Sequence, residues 1–133
     1  MAQAQPQKTD TQAAPPPPVS AEATERESRM AANKVTREKA KAIFEAFKSA
    51  EVGLNPYPAS LLAAHAYSTV DGIEKKTQAE LVTWANEFKR LNPVPWHSLK
   101  SGNLMGFSFG LRRSNIEGMT ANEYAELATV IRG

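Results

Sequence analysis

Threonine stands three residues ahead of glutamate at Thr24–Glu27, Thr77–Glu80 and Thr120–Glu123. This is capping-box spacing. The threonine oxygen accepts from the amide three residues on and the glutamate reaches back, satisfying two donors that a helix start otherwise orphans. A chain carrying this signal repeatedly is constrained to be mainly α. The second box heads the clearest helix: Leu81, Trp84, Ala85 and Phe88 recur at i, i+3, i+4, i+7, which predicts Trp84 in the core, and Asn92-Pro93 closes it. The third predicts a helix over Ala121 to Ile131, with Leu127, Ala128 and Ile131 continuing its stripe.

The first box predicts a helix over residues 24–52, polar at first and amphipathic from Val35, with Val35, Ala42, Ile43, Ala46, Phe47 and Ala50 as its apolar set. Gly53 and Asn55-Pro56 end it. Pro58 then fits a first turn, and Ala59 to Tyr67 is apolar on nearly every side, the pattern of a buried helix. His65 sits inside that run. With no His, Asp or Glu one turn away to complete a metal pair, it reads as a packed or hydrogen-bonded core residue. Asp71-Gly72 signals a turn, and Pro93-Val94-Pro95 reads as a rigid extended connector that aims Trp96 and His97 at the segment beyond it.

Ahead of all this, residues 1–23 are rich in Gln, Ala, Thr and Pro, with Pro15 to Pro18 consecutive, and offer no core-forming side chains. They are expected to form a disordered tail. The organisation is then a tail over 1–23, a basic amphipathic helix over 24–52 and a compact, mainly helical domain over 53–133. With 133 residues the chain has room for one modest core.

Several function classes fall away on composition. The absence of cysteine removes disulfides, thiolate metal sites and cysteine nucleophiles. No run approaches the roughly 18 apolar residues of a membrane span, and the start lacks a signal-peptide core, so a cytoplasmic protein without membrane contact is expected. Asp10 and Asp71 are the only aspartates, neither His65 nor His97 has a neighbouring serine and acid pattern, and no phosphate-binding glycine loop or zinc-helix motif occurs. The expectation is a non-enzyme that uses no cofactor and no metal.

The stretch from Ser101 to Arg113 admits two local structures. With period two, Met105, Phe107, Phe109 and Leu111 share one side, a strand whose hairpin turn is Lys100 to Asn103. With period 3.6, Leu104, Phe107 and Leu111 form a stripe while Gly102, Gly106 and Gly110 line up for close backbone approach. Residue propensity favours the strand, because interior glycines cost a helix about 0.8–1 kcal/mol each. Element order favours the helix: a capped helix, a short connector and a glycine-containing helix ending in Leu-Arg-Arg follow the order of a helix-turn-helix or winged-helix module. The fold expected is therefore mainly α, winged-helix-like with a short β-hairpin, or alternatively α+β.

Net charge is +2, with the residues through Arg29 net acidic and the remainder basic. Lys100, Arg112 and Arg113 flank the ambiguous segment, Trp96, His97 and Asn103 lie near its entrance, and Lys34, Arg37 and Lys41 add cations at helix pitch. Arginine pairs bind phosphate or guanine, and an exposed tryptophan stacks on an unpaired base. These residues point to a small nucleic-acid-binding protein, with DNA ahead of RNA. The alternative is a protein-interaction or assembly module, self-association included, or a structural component of a larger particle, in which the tail and first helix order on a partner.

Overall fold

The structure, a computed structural model, describes residues 16–133. Among these residues there are six α-helices, one turn of 3-10 helix and no strand: α1 (Pro16–Lys48), α2 (Pro56–Thr69), the 3-10 turn (Ile73–Lys75), α3 (Gln78–Leu91), α4 (Pro93–Lys100), α5 (Leu104–Arg113) and α6 (Ala121–Arg132). No helix among the described residues is long and apolar enough to cross a membrane.

The chain divides into two compact units, one ending at Lys34 and the other running from Val35 to Gly133. In the first unit the described backbone is one helical stretch that begins at Pro16, ahead of the start expected at Thr24. Prolines are compatible with a first turn, because the amides they lack there have no intrahelical partner. The part of the expected tail that covers residues 1–15 lies outside the described residues. From Thr24 to Lys34 every side chain is exposed, and Arg29 pairs with Glu25 at 3.9 Å on the solvent-facing surface.

In the second unit the end of α1 buries Ala40, Ile43, Phe44, Ala46 and Phe47. This shifts the expected apolar set. Val35, Ala42 and Ala50 are exposed, whereas Ala40, Ile43, Phe44 and Phe47 stand at i, i+3, i+4, i+7 and fill the one face a helix can turn inward. α2 is buried without a break from Pro58 to Ala66, and it packs mainly along α6. Asp71-Gly72 forms the expected turn, with Gly72 at φ 68°, and the 3-10 turn then seats Ile73 in the core.

The capping boxes of α3 and α6 both form. Thr77 N–H donates to Glu80 Oε1 at 2.8 Å and Glu80 N–H to Thr77 Oγ1 at 3.2 Å; the pair at Thr120 and Glu123 repeats this at 2.9 and 3.3 Å. The bonds from Thr77 hold the Glu80 carboxyl below the usual carboxylate range. Leu81, Ala85 and Phe88 of α3 are buried, but Trp84 stays partly exposed at the edge of the core, stacked between Phe47 at 5.8 Å and Phe88 at 5.5 Å.

The larger corrections concern residues 93–113. Pro93 to Pro95 is not an extended connector but the first turn of α4, where the prolines give up only amides that would be orphaned. Winding this segment as helix lets Pro95, Trp96 and Leu99 face the core together. Ser101 to Arg113 forms no strand either. Asn103 Oδ1 accepts from Gly106 N–H at 2.9 Å and so caps α5, while Gly102, at φ 74°, supplies the left-handed turn between α4 and α5. The turn foreseen at Lys100 to Asn103 therefore joins two helices instead of two strands. With helix also over Ala121–Arg132, neither the β-hairpin nor the wing of a winged-helix module is formed, and the α+β alternative falls with them.

Packing explains how α5 tolerates its glycines. A Cβ at Gly110 would stand 3.3 Å from Pro95 Cα, and one at Gly106 would stand 2.8 Å from Ser98 Oγ and 2.7 Å from the capping Asn103 Nδ2. The two glycines let α4 and α5 close on each other along a seam of small residues. That contact offsets the helix-propensity cost.

Candidate functional site

The tight inner seam of α5 fixes which residues it turns outward. Phe107, Ser108, Gly110 and Leu111 are buried, which leaves Met105, Phe109, Arg112 and Arg113 at i, i+4, i+7, i+8 on the opposite face. Met105 is 54% exposed and Phe109 48%, large values for apolar side chains of this size. The Arg112 guanidinium lies over the Phe109 ring at 5.3 Å from its centroid, in cation–π range. Among the described residues no carboxylate comes within ion-pair distance of Arg112, Arg113 or Lys100, whereas Lys39, Lys48 and Arg90 are paired with Glu74, Glu45 and Glu87. The face combines bare apolar area with unneutralised positive charge. Because Gly110 packs on Pro95, the exposed Val94 lies at the same end of the α4–α5 pair as Arg113.

The residues singled out from sequence are dispersed by the fold. Arg112 and Arg113 remain together in the last turn of α5, where cations complement the helix dipole. Lys100 is exposed in the last turn of α4, ahead of the Gly102 turn, so the ten residues of α5, about 15 Å of helix, separate it from the arginine pair. Trp96 is 6% exposed, has the Lys89 ammonium 5.7 Å from its ring centroid, and keeps Nε1 without an acceptor. Its ring is unavailable for stacking on a base. Asn103 spends its carbonyl on the α5 cap, and His97 is exposed on α4. Arg37 and Lys41 are exposed on α1, Arg37 with its guanidinium against Gly133 after α6; Lys34 is exposed at the end of the first unit.

A second feature is assembled from elements far apart in sequence. His65 of α2 is 2% exposed, and its Nδ1 lies 2.9 Å from Tyr124 Oη of α6. The rings of Phe88, Phe107, Tyr124 and Trp84 surround it, with centroids 5.6 to 6.3 Å away. Burial lowers its pKa from 6.5 to about 4, so the imidazole is neutral at ordinary pH. Burial also raises the Tyr124 phenol, against the lowering effect of a hydrogen bond from the Met119 backbone. This matches the core role read for His65 from sequence, but nothing in the sequence pairs it with Tyr124. Among the described residues no three His, Asp or Glu side chains cluster as a metal site would require.

The outward Met105 and Phe109 escape a sequence reading as surface residues because apolar side chains in an amphipathic segment default to the core. The available signal is the narrow buried arc that Gly106 and Gly110 impose. Compared with protein-family models, with curated proteins and with solved structures, the chain finds no match.

Proposed function

We propose that the chain is a non-enzymatic protein-interaction module of the cytoplasm, which uses the outer face of α5 to hold an acidic protein surface. The observation that carries this reading is the grouping of Met105, Phe109, Arg112 and Arg113 on one exposed helix face without a neutralising carboxylate among the described residues. Methionine, aromatic residues and arginine are the side chains enriched at protein interfaces. Arginine over an aromatic ring presents a rigid cationic fork that suits carboxylates.

A photo-crosslinking side chain in place of Phe109, compared with the same group at exposed Thr83 on α3, tests this in cells of the source organism. The expected result is a discrete protein adduct from position 109 alone, lost when Arg112 and Arg113 are both changed to Glu. Equal adducts from both positions, or an adduct indifferent to the charge reversal, would refute the reading.

A nucleic-acid ligand is the second reading, favoured by the same uncompensated arginine pair beside an exposed phenylalanine, since stacking and phosphate contacts combine in sequence-tolerant single-strand binding. The apolar residues that α5 exposes, Met105 and Phe109, offer no hydrogen bonds to base edges, so DNA groove reading has less support than single-strand stacking. Titration of a short single strand and a short duplex against salt separates the readings. Affinity that falls steeply with salt and disappears in the Arg112→Glu, Arg113→Glu double variant supports nucleic acid; no binding at about 50 mM salt removes it.

A further inference from the structure

Between α2, α3 and the loop before α6 lies a groove of about 320 Å³ with His65 at its floor. Its walls are mainly apolar: Trp84, Phe88, Leu91, Val70 and Ile116. The volume is at the lower end of the range, roughly 300–1,000 Å³, that small-molecule sites occupy. We infer that this groove binds a small, neutral, flat molecule of bicyclic size that offers a hydrogen-bond acceptor to His65 Nε2.

The protonation pattern follows from the pairing of the buried groups. Among the described residues the one nitrogen or oxygen within hydrogen-bond reach of Tyr124 Oη that can accept its proton is His65 Nδ1, at 2.9 Å, so the buried phenol is assigned as the donor of that bond. The imidazole proton is thereby placed on Nε2. No group among the described residues hydrogen-bonds Nε2, yet it is not among the sealed atoms without partners, which are Trp96 Nε1 and Ser108 Oγ. Since His65 lines the groove, its remaining N–H opens there.

Glu87, Thr69 and Asn92, the other polar side chains at the groove, each hold a hydrogen bond within the fold. Glu87 is bound by Arg90, the Thr69 hydroxyl donates to the His65 carbonyl, and the Asn92 amide donates to the Phe88 carbonyl. At the floor of the aromatic slot the unfilled polar group is thus a neutral donor, His65 Nε2–H. A ligand carboxylate would meet Glu87 at the rim without a cation left to answer it. A ligand ammonium would find no acceptor at the floor. A flat neutral molecule fills the slot and satisfies Nε2–H together. This inference is independent of the α5 face: the two share no residue.

The test uses the full chain labelled with ¹⁵N and ¹³C, with coumarin and acetophenone as carbonyl-bearing probes and naphthalene as the probe without an acceptor. The expected result is saturable binding of a carbonyl probe, with Kd on the order of 0.1–1 mM. It should show contacts from probe protons to the Ile116 and Val70 methyl groups and a shift of the His65 Nε2 resonance, and naphthalene should bind about tenfold more weakly. The His65→Leu variant should lose the carbonyl preference; if that variant unfolds, the Nε2 shift and the methyl contacts in the unaltered protein decide. Absence of saturable contacts with either carbonyl probe overturns the site, and equal binding of naphthalene overturns the role given to Nε2.

Discussion

α2 and α5 are neighbours through the core, and each breaks the rule of apolar inside and polar outside, in opposite senses. α2 is buried along nine consecutive residues and carries a histidine among them; α5 is buried on a narrow arc and carries a methionine and a phenylalanine outside it. The polar group of α2 is answered by the fold through Tyr124. The apolar groups of α5 are not. A buried polar group with a partner is a structural device, whereas apolar side chains left bare beside cations with no carboxylate partner among the described residues are surface available to something else. His65 and Tyr124 hold this protein together, and Met105, Phe109, Arg112 and Arg113 are what it presents.

The largest effect expected from that separation is on the pH dependence of stability. His65 has its pKa lowered from 6.5 in the unfolded chain to about 4 in the fold, so the unfolded chain takes up a proton first as pH falls. The stabilisation tied to the neutral ring is complete above pH 6.5, is lost as pH drops from 6.5 to about 4, and amounts to about 3 kcal/mol. Urea midpoints measured across that window should fall steeply, and the histidine-linked part of the slope should vanish in His65→Leu. A slope unchanged by that substitution would show that the ring is not held neutral.

Removing the partner instead of the ring comes next. Tyr124→Phe keeps the aromatic packing but leaves His65 Nδ1 buried without its hydrogen-bond partner, which should cost about 2 kcal/mol in chemical denaturation. Retained stability would mean that water takes the place of the hydroxyl. Smaller again is the effect at Asn103, which the sequence placed at a ligand and the fold places at the start of α5. Asn103→Ala should lose about 1 kcal/mol while Asn103→Ser, which keeps a capping oxygen, should lose little. Equal losses in both would argue against the cap. The smallest effect is expected on the presented face: Met105→Ser with Phe109→Ser should change stability by no more than about 0.5 kcal/mol per site, because the exposed parts of these side chains have little packing to lose. A loss of several kcal/mol would place them in the core and dissolve the contrast with α2.

The α3 and α6 starts were legible because a capping box is a local exchange of hydrogen bonds that needs nothing from the rest of the chain. The burial of α2 was legible because a helix apolar on all sides has no solvent face to offer. Residues 93–113 were not. Two prolines within three residues serve equally as an extended connector or as a helix's first turn, and alternating bulky and glycine residues fit a strand or a helix. Of the candidate site, Arg112 and Arg113 kept their exposed place, whereas Trp96 went to the core, because its ring completes the contact of α4 with the body of the fold.

What the sequence by itself determined is the helical class, the capped starts at Thr77 and Thr120, the buried run around His65 and the absence of cysteine chemistry, all set by interactions within a few residues or by composition. Only the tertiary structure decided that α4 and α5 are both helices, since that rests on Gly106 and Gly110 admitting Ser98 and Pro95 at close range. It alone decided that His65 meets Tyr124 beneath a groove, and that Met105 and Phe109 face outward beside the arginine pair. Periodicity gives the faces of a helix; which face is inner depends on the surface that arrives to cover it.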